Sequence, residues 1–260
     1  EIGVRLVGSE MCIRDRGICS KDGRPFSEGS PLEITGRLSL LRHPILEEFA
    51  FLDSIVDGGV MKKQHIPSPA EVMTQIIQRV ERTQIETVYS DIRLLTDDIA
   101  SCYKFLLTKL YDAGCRYVQF DGVHSVIMED TIRLNNRVLR ERPAGMYVAF
   151  HAPTDMLVQL HGADAYFLNY DCGACDRNRL LWFIHEKEAV FGFVLSHYPQ
   201  EDELDELQAK TESVLNYIPL KRFTLCLPDA NALLSPSEAD EEKQWETVRL
   251  GMEMAARIFS

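Results

Sequence analysis

The sequence predicts an α/β fold of the (β/α)8 TIM-barrel type, with about six β/α units in this chain. Three observations lead there. Short runs of strand formers alternate with longer segments of helical period, the pattern of parallel strands joined by crossover helices. The 260 residues, 45% of them hydrophobic, suit one domain of barrel size or part of one. Several of the strand ends carry a polar or reactive residue, which is where such a barrel gathers its chemistry.

The elements follow in order. Gly17–Glu33 is rich in Gly, Pro and Ser and reads as loop. A short strand over Met61–Ile66 closes at Pro67-Ser68-Pro69, and Pro69 suits the first turn of a helix over Ala70–Val80. Ser90–Ala113 places Ile92, Leu95, Ile99, Tyr103, Leu106 and Leu110 at helical spacing, so a long helix ends near Gly114. It leads into the strand Tyr117–Asp121. Further strands are expected at Gly145–His151, Ala165–Asn169, Val190–Ser196 and Phe223–Leu227. Helices are expected at about 129–141, 153–162, 177–186, 202–216 and 239–258.

A closed barrel needs eight strands, so the first strands are expected to be missing from this chain. Residues 1–16, EIGVRLVGSEMCIRDR, resemble a translated sequencing-adapter string and are set aside as an artefactual segment. The natural chain is then expected to extend upstream, with 17–260 as one N-terminally truncated barrel domain.

Composition excludes several classes. A net charge of −12 argues against nucleic acid and against an anionic membrane surface. No apolar run approaches the ~20 residues that span a bilayer. Seven scattered cysteines suit reduced thiols better than a disulfide framework, and no apolar signal core is visible, so a cytoplasmic location is expected.

The strand-end residues are Pro67-Ser68-Pro69, Asp121, His151, Asn169 with the following Asp171-Cys172-Gly173-Ala174-Cys175, His197, and Cys226 with Asp229. Singly, a strand-end His or Asp is more often a loop cap or a solvated side chain. Together they would crowd one mouth of a barrel. His65 and His124 could each line that mouth but read more simply as structural or solvated, Cys102 and Cys115 as small core residues, and Trp182 and Trp245 as packing residues.

In order, KKQHIPSP, DDIASCYKFLLTKLYDAGCRYVQFD, YVAFH, AYFLNYD, SHYP and TLCLPDANAL resemble the catalytic domain of cobalamin-independent methionine synthase. The resemblance spans roughly Glu33–Phe259 and is most specific at AGCRYVQFD. It implies a methyltransferase of methionine biosynthesis. A zinc-bound homocysteine thiolate would take the methyl group of 5-methyltetrahydrofolate (polyglutamate), so zinc, a folate and a small thiol or amino acid would be the partners. By resemblance, Asp121 holds the substrate amine, His151 ligates zinc and His197 is the catalytic proton donor. Four positions depart from the pattern. Gly122 replaces a glutamate, Pro153 a ligand cysteine, Asn169 a ligand glutamate and Ala230 the last ligand cysteine.

Softness and count would let Cys172, Cys175 and Cys226 join His151 in a rebuilt Cys₃His site. Equally, a lone CxxC is a weak signal, and Cys226 suits a core position. Three rival readings stand beside methyl transfer. One is a divergent paralogue that has lost zinc and binds a small molecule or runs other chemistry. The others are a uroporphyrinogen decarboxylase-like barrel and a purely structural role.

Overall fold

The computed structural model describes residues 18–20, 32–40, 43–187, 189–196 and 203–226, with isolated positions 249, 252, 253 and 256. Contacts divide the chain into two units that meet in sequence at Ala163 and Asp164. Among the described residues each holds three parallel strands with intervening helices, so the expected α/β alternation is present.

In the first unit, β1 (Ile18–Ser20) and β2 (Leu32–Ile34) pair antiparallel, where the sequence suggests loop. Three residues are too few to leave a readable period. Helix α1 (Pro44–Ile55) follows. The chain then runs through β3 (Lys63–Pro67), α2 (Pro69–Arg79), α3 (Arg82–Val88) and α4 (Ile92–Asp112). After these come β4 (Tyr117–Asp121), α5 (Glu129–Glu141), β5 (Tyr147–His151) and α6 (Thr154–Leu157).

Local chemistry sets the boundaries. Ser68 Oγ accepts the Glu71 amide at 3.0 Å, and Pro69 opens α2 with no N–H to satisfy. The next amide, Ala70 N, donates to Asn135 Oδ1 of α5 at 3.0 Å. Asp91 caps α4 through the Arg93 amide at 2.8 Å. At its far end Gly114 takes φ +100°, Cys115 N donates to Leu110 O at 2.9 Å, and Gly114 N donates to Tyr111 O at 3.0 Å. These paired bonds are the Schellman stop, which favours glycine.

Strand period two then sorts the side chains. Ile66, Val118, Phe120, Val148 and Phe150 share one face of β3–β5 and are fully buried. Tyr103 of α4 meets Phe120 edge-on at 5.8 Å, and its hydroxyl donates to Pro67 O at 2.7 Å. The opposite face carries Lys63, His65, Gln119, Asp121 and His151, and there the chemistry gathers.

The second unit contains β6 (Ala165–Asn169), α7 (Ala174–Lys187), β7 (Val190–Val194), α8 (Leu204–Leu215) and β8 (Phe223–Cys226). Its strands are apolar on both faces, with Phe167, Phe191 and Phe193 fully buried. Gly192 lies opposite Phe167 and Thr224, and a Cβ there would stand 2.6 Å from the Phe167 ring. The helix expected at 153–162 shortens to α6, because the chain turns at Gly162 (φ +92°) while Leu160 stays buried. Trp182 is 70% exposed, so its packing role does not hold. His197, Asp229, Ala230 and Trp245 lie outside the described residues.

Candidate functional site

Parallel register sets Pro67, Asp121 and His151 side by side at the C-terminal ends of β3, β4 and β5. One step earlier, His65 lies level with Gln119. All share the polar face, so a connected network forms there. Asp121 is its centre. Its Oδ2 lies 3.2 Å from His65 Nδ1, and its Oδ1 lies 3.2 Å from His151 Nδ1. Gln119 Nε2 donates to Oδ1 at 2.8 Å, while Gln119 Oε1 accepts from Lys63 Nζ at 3.0 Å.

Burial alone would raise the Asp121 pKa. The hydrogen bonds and charge of His151 and His65 outweigh it and hold the carboxyl well below the usual carboxylate range. An ionised carboxylate only accepts, so each imidazole must present Nδ1–H to it. A neutral ring then keeps its lone pair on Nε2. Three donors occupy Asp121, and a carboxylate has about four acceptor positions, which leaves room at Oδ2 for one more. The side chain is 33% exposed, so an outside donor can reach it.

Behind Asp121 lies a buried polar pad. Ser68 Oγ and Ser125 Oγ are 3.3 Å apart, and Ser125 Oγ donates to Glu71 Oε2 at 3.1 Å. Ser68 N donates to Asp121 O at 2.7 Å, and Gly122 N donates to His151 O at 2.8 Å. A Cβ at position 122 would stand 2.6 Å from Ser68 Oγ and 2.9 Å from Ser125 Oγ. Glycine at 122 therefore goes with the serine pair.

The structure joins Asp121 to His151. It also brings in His65, for which the sequence favours a structural or solvated role over lining the mouth, and Gln119, which the sequence does not mark. Strand alternation back from Asp121 could have flagged Gln119, a buried amide in an otherwise apolar strand. His124, by contrast, is exposed on the loop after β4. Cys115 is buried, and Cys102 is half-buried with its thiol pushed up to about 11 by burial.

In the second unit, Cys172 is half-buried in the turn after β6, and burial raises its pKa. Cys175 is exposed in the first turn of α7, and Cys226 is half-buried at the end of β8. Two of the positions at which the resemblance implies zinc ligands carry no such ligand among the described residues. Pro153 precedes α6 and offers no donor, and Asn169 ends β6 as an exposed amide. His151 turns Nδ1 to a carboxylate, which leaves Nε2 as the nitrogen that a metal would take. Among the described residues, no group of three or more His, Cys, Asp or Glu side chains could hold a metal ion. Nor, among them, is any helix long and apolar enough to cross a membrane.

No protein-family model matches the chain. Two Bacillus subtilis (strain 168) proteins are similar along 98% of this chain and 76% of their own length. Uncharacterized protein YxjG is 24% identical and Uncharacterized protein YxjH 25% identical. Among solved structures, the "Putative Vitamin-B12 Independent Methionine Synthase" of Listeria monocytogenes is 24% identical, with a TM-score of 0.63 over 88% of this chain and 74% of that one. At that identity the likeness establishes the fold, so this chain has the TIM-barrel-like α/β fold that its alternating elements predict.

Proposed function

We propose that the chain is a methyltransferase resembling cobalamin-independent methionine synthase, moving a methyl group from an N-methylated folate to the sulfur of a small amino-acid thiol. The observation that carries this reading is Asp121, an ionised and reachable carboxylate at the end of β4 with one acceptor position open. It suits the ammonium group of an amino acid. The fold shared with the Listeria protein supports the same reading.

Methyl transfer to sulfur is a displacement. The thiolate attacks the methyl carbon, and the donor nitrogen leaves with its electron pair and gains a proton. His197 is assigned that proton by resemblance. Among the described residues no group of three or more His, Cys, Asp or Glu side chains gathers to hold zinc. Metal analysis tests this point: about one zinc per chain, lost in Cys172→Ala or Cys226→Ala, would reinstate the His151, Cys172, Cys175 and Cys226 set.

Calorimetry with L-homocysteine, followed by mass spectrometry for methionine after adding 5-methyltetrahydrofolate, tests the function. Binding and methionine formation are expected, with homocysteine binding weakened at least ~10-fold in Asp121→Asn, a charged hydrogen bond being lost. Homocysteine binding without methyl transfer would favour the second reading, a paralogue with other chemistry. The departures at Gly122, Pro153 and Asn169 motivate that alternative.

A further inference from the structure

Methylation of a thiol needs the thiolate, and an unperturbed thiol is mostly protonated at neutral pH. Pro153 and Asn169 offer no thiolate-stabilising donor, and a side chain that takes the thiol proton would supply the thiolate instead. His65 has the geometry to take it. Its Nδ1 is held by Asp121 Oδ2 at 3.2 Å, which directs the Nε2 lone pair away from the carboxylate. Among the described residues Nε2 has no partner, and the ring is 30% exposed. His151, on the other oxygen, is only 9% exposed. An amino acid held by its ammonium at Asp121 Oδ2 therefore has His65, not His151, as the reachable imidazole on the same oxygen.

We propose that His65 Nε2 is the base that ionises the thiol substrate, with Asp121 positioning the ring. This inference rests on the thiol-methylation reading above. The S–H bond breaks, its electron pair stays on sulfur, and a new N–H bond forms on His65. Asp121 stabilises the resulting imidazolium, and the imidazolium in turn stabilises the thiolate beside it. Sulfur then bonds to the methyl carbon of the N-methyl donor as the C–N bond breaks, its pair remaining on nitrogen. The proton taken by His65 balances the one that nitrogen gains, so thiol and N-methyl donor become thioether and N–H with no oxidant or reductant.

The test uses the chelator-treated chain at neutral pH with L-homocysteine as probe. Binding is read by calorimetry and ionisation by ultraviolet thiolate absorption. Wild type is expected to bind homocysteine as thiolate. His65→Asn, whose amide nitrogen can keep the bond to Asp121 but removes Nε2, is expected to bind within about threefold while the thiolate signal falls about tenfold. His124→Gln, on the exposed loop, keeps the signal. If His65→Asn loses its cooperative melt, His65→Gln repeats the comparison. Thiolate that persists in a folded His65 variant, or that forms only when zinc is restored, overturns the proposal. Homocysteine bound as neutral thiol overturns it alone and leaves the acceptor assignment standing. No homocysteine binding by wild type removes that assignment and this inference with it.

Discussion

Asp121 owes its low pKa to two imidazoles, and that has a signed consequence for stability. A carboxyl whose folded pKa is depressed contributes stability in full above its unfolded value of about 3.9 and loses it as pH falls toward the folded value. Asp121→Asn is therefore expected to be less stable than wild type at neutral pH and to lose less on acidification, as urea midpoints across the acid range would show. Gly114 offers a second single-residue test. At φ +100°, Gly114→Ala should cost about 1 kcal/mol in denaturant unfolding, although no neighbour crowds the added methyl. An unchanged midpoint would argue against the Schellman stop. Asp121 is legible in sequence as a strand end. Its partner His65 is not, because it lies 56 residues away and only strand register joins them.

Elements differ in how openly the sequence declares them. Tyr117–Asp121, Ala165–Asn169 and 129–141 match expectation residue for residue, since each is a periodic run bounded by turn-formers. Helices α1 and α3 leave a weaker pattern, and α1 keeps Phe51 and Ile55 exposed, which blurs its apolar stripe. Ser68 is the N-cap of helix α2, and its hydroxyl also meets Ser125. Ser68→Ala is expected to destabilise by about 1 kcal/mol in thermal or urea unfolding. Strand β7 gives the opposite test. Gly192→Ala adds only one methyl, yet it meets Phe167 and Thr224 below 3 Å, so overpacking of roughly 1–3 kcal/mol is expected. A neutral result would mean that Phe167 turns aside freely.

At the scale of the molecule, α/β alternation alone fixed the fold class, whereas the site needed coordinates. The strand-end rule named Asp121 and His151 but could not show that one carboxylate joins two imidazoles, or that Gln119 and Lys63 extend the network. For the cysteines, spacing indicated softness and number but not convergence. Gly122 ties the polar pad to helix α2. A Cβ at 122 would meet the Ser68 and Ser125 hydroxyls below 3 Å, so any side chain there must turn them aside, and turning the Ser68 hydroxyl would remove the cap of α2. One methyl group at the site would therefore be felt as a frayed helix end a full element away.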